Sequence, residues 1–483
     1  MTLLRPGALC LALAAAFPSV ASAASDVELK QLRDQLRELK ESYQQRIDAL
    51  ERRLAATEQR AAGAATAAAE AGVAAGSAAQ SVARVEARSA ELQAAAANAG
   101  GSRPQAGESA FNPAVSLIID SKFTRFQRDP STYRIDGFIP SGGEVGPPRK
   151  GFSLGESELA FSANVDHLFR ANARFALAED DGQGVVEVEE VNVETLGLPG
   201  GLKVKGGRFL SGVGYLNQQH PHEWDFSDAP LAYKAFFGYR LQNDGVQVRW
   251  VAPTDLFLEF GAEMAAGEKY PGAERNRNGA GLWTAFAHLG GDIGASSAWQ
   301  VGLSHVGAQP RERTFEDNAV TNAFSGRSQT WIADFVYKWA PDGNSRDRYL
   351  KIQGEYIQRR ETGMLTYDVD NLSGASAASA SRLRQSGSYL QAVYQFMPRW
   401  RVGVRGDWLD SGSVNLGSLS GTELPILAGY NPTRHTAMVD WSPSEFSRLR
   451  LQLARDKSRD GEADNQVWLQ YIMSLGAHGA HKF

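Results

Sequence analysis

The densest group of chemistry-bearing residues is His220-Pro221-His222-Glu223-Trp224-Asp225, two imidazoles and two carboxylates in six consecutive positions. Imidazole nitrogen combined with carboxylate oxygen is a borderline ligand set that suits zinc and similar divalent ions. A second pair, His478 and His481, stands near the C-terminus, with His478 on the inward face of its strand by alternation. Histidine pairs of this kind are weak evidence by themselves and are common in solvated loops, so the plain-loop reading stands beside, and ahead of, metal binding. No catalytic constellation accompanies them. Gly206-Gly207 falls in strand context rather than before a helix, which excludes a phosphate loop there. No serine sits in a nucleophile-elbow pattern. The residues point to binding or conduction rather than to an enzyme, and zinc is the one candidate cofactor.

A larger set of charges is distributed along segments that alternate with period two. Val246, Val248 and Trp250 interleave with Gln247 and Arg249, and Leu449, Leu451 and Leu453 with Arg448, Arg450 and Gln452. One face of each segment is apolar and the other polar over about ten residues, the signature of a transmembrane β-barrel with a wet lumen. The alternation places Arg170, Arg174, Arg249, Arg401, Arg405, Arg448 and Arg450 on the lumen side, with Glu187, Glu194, Glu355 and Asp407. Walls of charge set selectivity and focus fields in a pore. The same residues would also serve merely to solvate a lumen and pair with one another.

The elements that must position these groups are about sixteen antiparallel strands between residues 114 and 475, an even number as single-chain bacterial barrels require. Short connections such as Asp166-His167, Pro253, Pro398 and Pro443 alternate with long ones near 127–151, 212–243, 267–279, 308–327, 361–385 and 412–432. Short periplasmic turns and long outer loops alternate in this way, which puts His220 and His222 in an outer loop. Between Val186, Val188 and Val191, Val193 the consecutive Glu189 and Glu190 break the alternation, so one of them is expected to be a β-bulge. Tyr471, Met473, Leu475 and the terminal Phe483 share the apolar face of the last strand and resemble the signal read by the outer-membrane assembly machinery.

The rest of the chain sets the context. Its 483 residues carry a net charge of −5 and a single Cys, and the mean hydropathy is −0.33. No run approaches the roughly 20 apolar residues of a spanning helix. The absence of a basic excess argues against nucleic acid. Residues 1–23 read as a secretory signal peptide with Arg5, an apolar stretch and Ala21-Ser22-Ala23. Cys10 lies within it, so the mature chain is expected to lack thiols. Residues 24–54 carry Leu29, Leu32, Leu36, Leu39, Tyr43, Ile47, Leu50 and Leu54 at alternating spacings of three and four, a periplasmic coiled coil with one stutter. Residues 55–110 are an Ala-rich helical or flexible linker, and 111–483 form the barrel. The expected setting is the outer membrane of a Gram-negative bacterium, with its lipid as the surrounding partner.

At Phe111-Asn112-Pro113, at Gly151 through Leu159, at Gly207 through Gly212, at His220 through Asp225, at Asp228 through Leu231 and at Leu475 through His481, the chain resembles a family of proteobacterial outer-membrane proteins. These are labelled zinc-regulated, TonB-dependent outer-membrane receptors. The barrel also resembles the phosphate-selective porin O/P group in general aspect. The first resemblance implies zinc acquisition, TonB as a partner, and metal contacts at His220, His222, His478 and His481. Resemblance to general porins of this size implies a homotrimer, which the coiled coil suits. Three functions follow as expectations: a porin-like channel for small hydrophilic solutes or ions, a TonB-dependent metal receptor, and a structural protein bridging barrel and cell wall.

Overall fold

A strand in hydrocarbon must pair every backbone N–H and C=O, so an alternating sequence of this kind is stable there only as a closed barrel. The computed structural model describes residues 113–142, 145–180, 183–273 and 278–476. The expected signal peptide, coiled coil and linker lie outside the described residues, as do His478, His481 and Phe483.

The strands are β1 (Ala114–Phe126), β2 (Gly151–Leu154), β3 (Ser157–Asn164), β4 (Phe169–Asp180), β5 (Gln183–Thr195), β6 (Leu202–Leu210), β7 (Gln242–Val251), β8 (Phe257–Ala265) and β9 (Leu282–Ile293). They continue as β10 (Ser297–Ala308), β11 (Arg313–Asp317), β12 (Val320–Trp339), β13 (Tyr349–Tyr367), β14 (Ala377–Met397), β15 (Trp400–Asn415), β16 (Thr433–Ser444), β17 (Ser447–Lys457) and β18 (Asp464–Gly476). All belong to one 18-stranded sheet. β2 and β3 lie end to end along β1 and form a single stave. β11 is a short hairpin arm folded onto β12, which itself pairs with β10. That leaves sixteen staves. The sheet closes where β1 pairs antiparallel with β18, from Ser116 opposite Gly476 to Phe126 opposite Gln466.

The alternation works as the residues require. Val246, Val248, Trp250, Val402, Val404, Leu451 and Leu453 are exposed on the outer face, while Gln247, Arg405, Arg450 and Gln452 between them are buried inside. Aromatic rings collect near strand ends, with Trp400 and Trp441 stacked 6.0 Å apart and Trp250 against Phe260 at 5.9 Å. This is where a membrane interface holds amphipathic rings.

The expected loops differ from the fold in two ways. Most of 308–327 is strand, as β11 and the first part of β12, and so is most of 361–385, because β13 and β14 stay paired up to Tyr367 opposite Ala377. Polar residues on both faces there, Arg360, Thr362, Arg382 and Arg384 outside and Glu361, Ser381 and Gln385 inside, hide the period-two signal. The second difference is larger. The connection between β6 and β7 does not face outward; it turns into the barrel and is buried along nearly its whole length. It carries the short helix α1 (Leu231–Phe237), every residue of which is buried. Val213, Leu216, Trp224, Leu231, Tyr233, Phe236 and Phe237 join Phe138 from the β1–β2 connection and Phe286, Ile332, Ile357 and Leu409 from the wall in one apolar cluster. The hydrophobic core of the molecule therefore lies inside the barrel, around this loop. A second cluster, including Phe324, Leu365, Leu383, Leu424 and Leu427, packs the β15–β16 connection against β11 to β14.

Candidate functional site

The inward loop is held on one side by a basic wall. Asp225 accepts hydrogen bonds from Lys351 at 3.0 Å, Arg401 at 3.1 Å and Gln391 at 3.2 Å. Asp228 accepts from Arg405 at 3.1 Å and Gln452 at 3.0 Å, and pairs with Arg434 at 2.9 Å. Arg450 donates to the Trp224 carbonyl at 2.9 Å and to Asp440 at 2.8 Å. Asp407 accepts from the backbone N–H of Leu231 at 3.0 Å. These partners come from β13 through β17, so the loop is tied to five consecutive staves. Burial opposes ionisation of Asp225, but Lys351 and Arg401 override it and hold that carboxyl far below the usual range. Asp228 behaves alike under Arg434, Arg405 and Lys234.

The middle of the loop rests on Glu355. That carboxylate accepts from the Leu216 N–H, the Tyr233 hydroxyl and the Tyr389 hydroxyl, each at 2.8 Å. Gly214 has φ +63°, and a Cβ there would run into the Glu355 carboxylate and the Tyr233 hydroxyl. Both the left-handed backbone and the close approach call for glycine. At the loop's start, Glu263 on β8 accepts from the Ser211 hydroxyl at 2.5 Å and the Gly212 N–H at 2.7 Å. Arg249 on β7 donates to Gln218 at 2.8 Å.

The histidines reach an acidic wall formed by β3 and β5. His220 Nδ1 lies 3.1 Å from Glu158 Oε2 and 3.3 Å from Glu189 Oε2, and its Nε2 lies 2.8 Å from Glu190 Oε1. The ring of His222 stacks at 5.8 Å on that of His220, and its Nδ1 is 3.6 Å from Glu158. Burial pushes the His222 imidazole down to about 4, against the pull of Glu158. The expected bulge makes this possible. Arg174 opposes Glu190, but the next pair is Phe175 opposite Val188, so Glu189 is the extra residue. One inserted residue lets two successive carboxylates reach the same interior site. Arg174 bonds to Glu158 at 2.8 Å. Arg240 bonds to Glu189 at 2.6 Å and to Glu156.

Of the expected lumen residues, Arg249, Glu355, Arg401, Arg405, Asp407, Arg448 and Arg450 touch the loop directly. Arg174 reaches it through Glu158. Arg170, Glu187 and Glu194 are not brought to it: Arg170 bonds to Ser162, Glu194 pairs with Lys203 at 3.4 Å, and Glu187 is exposed. The six-residue histidine motif is split. His220 and His222 face β3 and β5, whereas Asp225 turns to β13 and β15, because the loop crosses the lumen between them. Tyr471 and Leu475 are exposed on the outer face of β18, with Met473 half-buried on the same parity. Arg434, Asp440, Lys351 and Glu158 belong to the site and were absent from the expected set. Strand parity alone would have found the first three, since Arg434 and Asp440 alternate with His435, Val439 and Trp441.

A closed barrel with an apolar outer band and a charged interior is an outer-membrane structure. No family model matches the sequence. An uncharacterized protein of Aquifex aeolicus (strain VF5) is 32% identical over 401 residues, covering 78% of this chain and 81% of that protein. Among solved structures, OmpT of Vibrio cholerae aligns with a TM-score of 0.47 at 10% identity over 77% of this chain and all of that one. OprB of Pseudomonas putida aligns at 0.46 and 12% identity over 76% of this chain and 94% of that one. An anion-selective porin from Comamonas acidovorans aligns at 0.46 and 11% over 75% and 99% of the two chains.

Proposed function

We propose that this chain, which belongs to the same family as the Aquifex aeolicus protein, is an outer-membrane channel for small hydrophilic solutes or ions, constricted by its own β6–β7 loop. The observation that carries this reading is the loop itself. It crosses the interior of a sixteen-stave barrel, a size that otherwise leaves an aqueous channel, and it is held there by polar contacts. Lys351, Arg401, Arg405, Arg434 and Arg450 stand on one side of it, and Glu158, Glu189, Glu190, Glu259 and Glu263 on the other. Opposed walls of charge set a transverse field that orients dipolar or charged solutes in a low-dielectric passage. Movement in this reading is diffusive, along the charge-lined passage beside the loop. An energised receptor of the TonB kind is a barrel of about 22 strands around a plug; sixteen staves and an internal loop favour diffusion. Association into trimers through residues 24–54 accompanies this reading.

Planar-bilayer recording of the purified protein tests it. Discrete conductance steps that depend on salt are expected. A protein that inserts, as heat-modifiable electrophoretic mobility would show, yet gives no steps in any salt, would remove the channel reading.

A further inference from the structure

Where His220 meets the wall, the buried charges do not balance. Glu156, Glu158, Glu189, Glu190 and Glu223 gather around the ring, and the cations beside them are Arg174, Arg240 and, near Glu190, Lys205, so carboxylates outnumber cations. His220 and Glu189 are both almost fully buried, and His220 Nδ1 and Glu189 Oε2 are closed to solvent with no hydrogen-bond partner. Yet Nδ1 faces two carboxylate oxygens, at 3.1 Å and 3.3 Å. A bare lone pair held against two anions is repulsive, so the ring nitrogen must share a positive charge with them, either a proton or a metal ion.

We propose that Glu158, Glu189 and His220 form a site for a borderline divalent metal ion, of the zinc class, that fastens the inward loop to β3 and the bulged β5. Three features fit a metal ion at this point. One ligand atom from each of the three residues lies within 4.8 Å of the other two. The separations from Nδ1, 3.1 Å and 3.3 Å, are close to those of a coordination shell: with metal–ligand distances of about 2.0–2.2 Å, neighbouring ligands in a tetrahedron stand roughly 3.3–3.6 Å apart. Nε2 of the same ring meets Glu190 at 2.8 Å, and a metal-binding histidine characteristically gives its other N–H to a carboxylate. One imidazole nitrogen with two carboxylates suits zinc, cobalt or nickel better than calcium, which takes six to eight oxygens. The stacked His222 puts a second imidazole beside Glu158.

The test uses the full chain in detergent, stripped with a chelator, and Zn²⁺ alone as titrant in calorimetry. Co²⁺ serves as a spectroscopic probe through its visible absorption. The expected result is one saturable Zn²⁺ site per chain that survives excess Ca²⁺. It should weaken at least tenfold in Glu158→Gln and His220→Gln and persist when His478 and His481 are both replaced by Ala. Because His220→Gln could disturb loop folding, Glu190→Gln is a second variant. It removes only the outer hydrogen bond and is expected to weaken Zn²⁺ about tenfold while leaving the loop protected from protease. The absence of a saturable site, equal competition by Ca²⁺, or a site lost only with the terminal histidines would each overturn the proposal and leave an imidazolium pair in its place. No conductance enters the readout, so the result is separate from the channel reading.

Discussion

Asp228 is the residue on which the loop depends most. It neutralises Arg405 and Arg434, both of which are almost wholly buried. Removing one partner of a buried pair costs up to about 3–5 kcal/mol when the other charge is left alone; the cost here is smaller, because Arg405 keeps Asp407 at 2.9 Å and Arg434 keeps Asp456 at 2.6 Å. Asp228→Ala is therefore expected to loosen the loop while the outer wall stays intact. Lys234, 2% exposed in α1, is a convenient reporter. Trypsin should spare it in the parent protein and cut after it in Asp228→Ala, and equal protection in both would show that the pairs do not hold the loop. The same anchors fix the pH response. The folded values of Asp225 and Asp228 are depressed, so their contribution is complete above the ordinary carboxylate value of about 4 and disappears only as pH falls below it. Conductance should thus be flat from neutral pH down to about 5 and change only in stronger acid. A transition near pH 6–7 would point to other groups.

At the level of elements, the strands were legible because each carries its own evidence. A slip of one residue would turn Val402, Val404 and Trp408 into the lumen and Arg401, Arg405 and Asp407 into lipid. The bulge at Glu189 was legible for the same reason, as a break in that pattern. The inward loop was not, since connection length tells where a loop begins and not which way it folds. A signal was nonetheless present. Leu216, Trp224, Phe226, Leu231, Tyr233, Phe236 and Phe237 make a connection too apolar for an outer surface. These side chains bury themselves inside the barrel instead, and α1 is the element that organises them. Gly238 closes it with φ +63°. Phe236 is fully buried, packed edge-on against Phe138 at 5.7 Å and beneath the Arg359 guanidinium at 5.0 Å. Truncating such a ring to Ala costs about 3–5 kcal/mol. That cost should fall on the loop alone. Hydrogen exchange of 211–241 should accelerate in Phe236→Ala while exchange in β12 to β15 is unchanged, and acceleration throughout would mean that loop and wall unfold together.

For the whole molecule, the decisive question is whether the barrel needs what it contains. The wall closes through its own ladders, including β1 on β18, and none of those ladders uses a residue of 211–241. Leu210 and Gln242 are register partners at the loop's two ends, so the loop can be replaced by a two- to four-residue turn of the kind that joins antiparallel neighbours. The charges this would free, among them Arg405, Arg434, Arg450 and Glu355, would face a water-filled lumen and be solvated rather than stranded. The apolar cluster would lose its centre, and Phe138 and Phe286 would be left at the edge of that water. The barrel without its loop is therefore expected to insert, to be less heat-stable than the parent, and to conduct several-fold more per step. Loss of Asp225 and Asp228 should also shift selectivity modestly towards anions, since Lys351, Arg401, Arg405 and Arg434 lose those counter-charges while Glu158, Glu189 and Glu190 stay on the opposite wall. Reversal potentials in a salt gradient would read that shift. Equal conductance with and without the loop would mean that solutes do not pass where it lies, and the constriction would have to be sought elsewhere, at the mouth formed by the β1–β2 and β15–β16 connections.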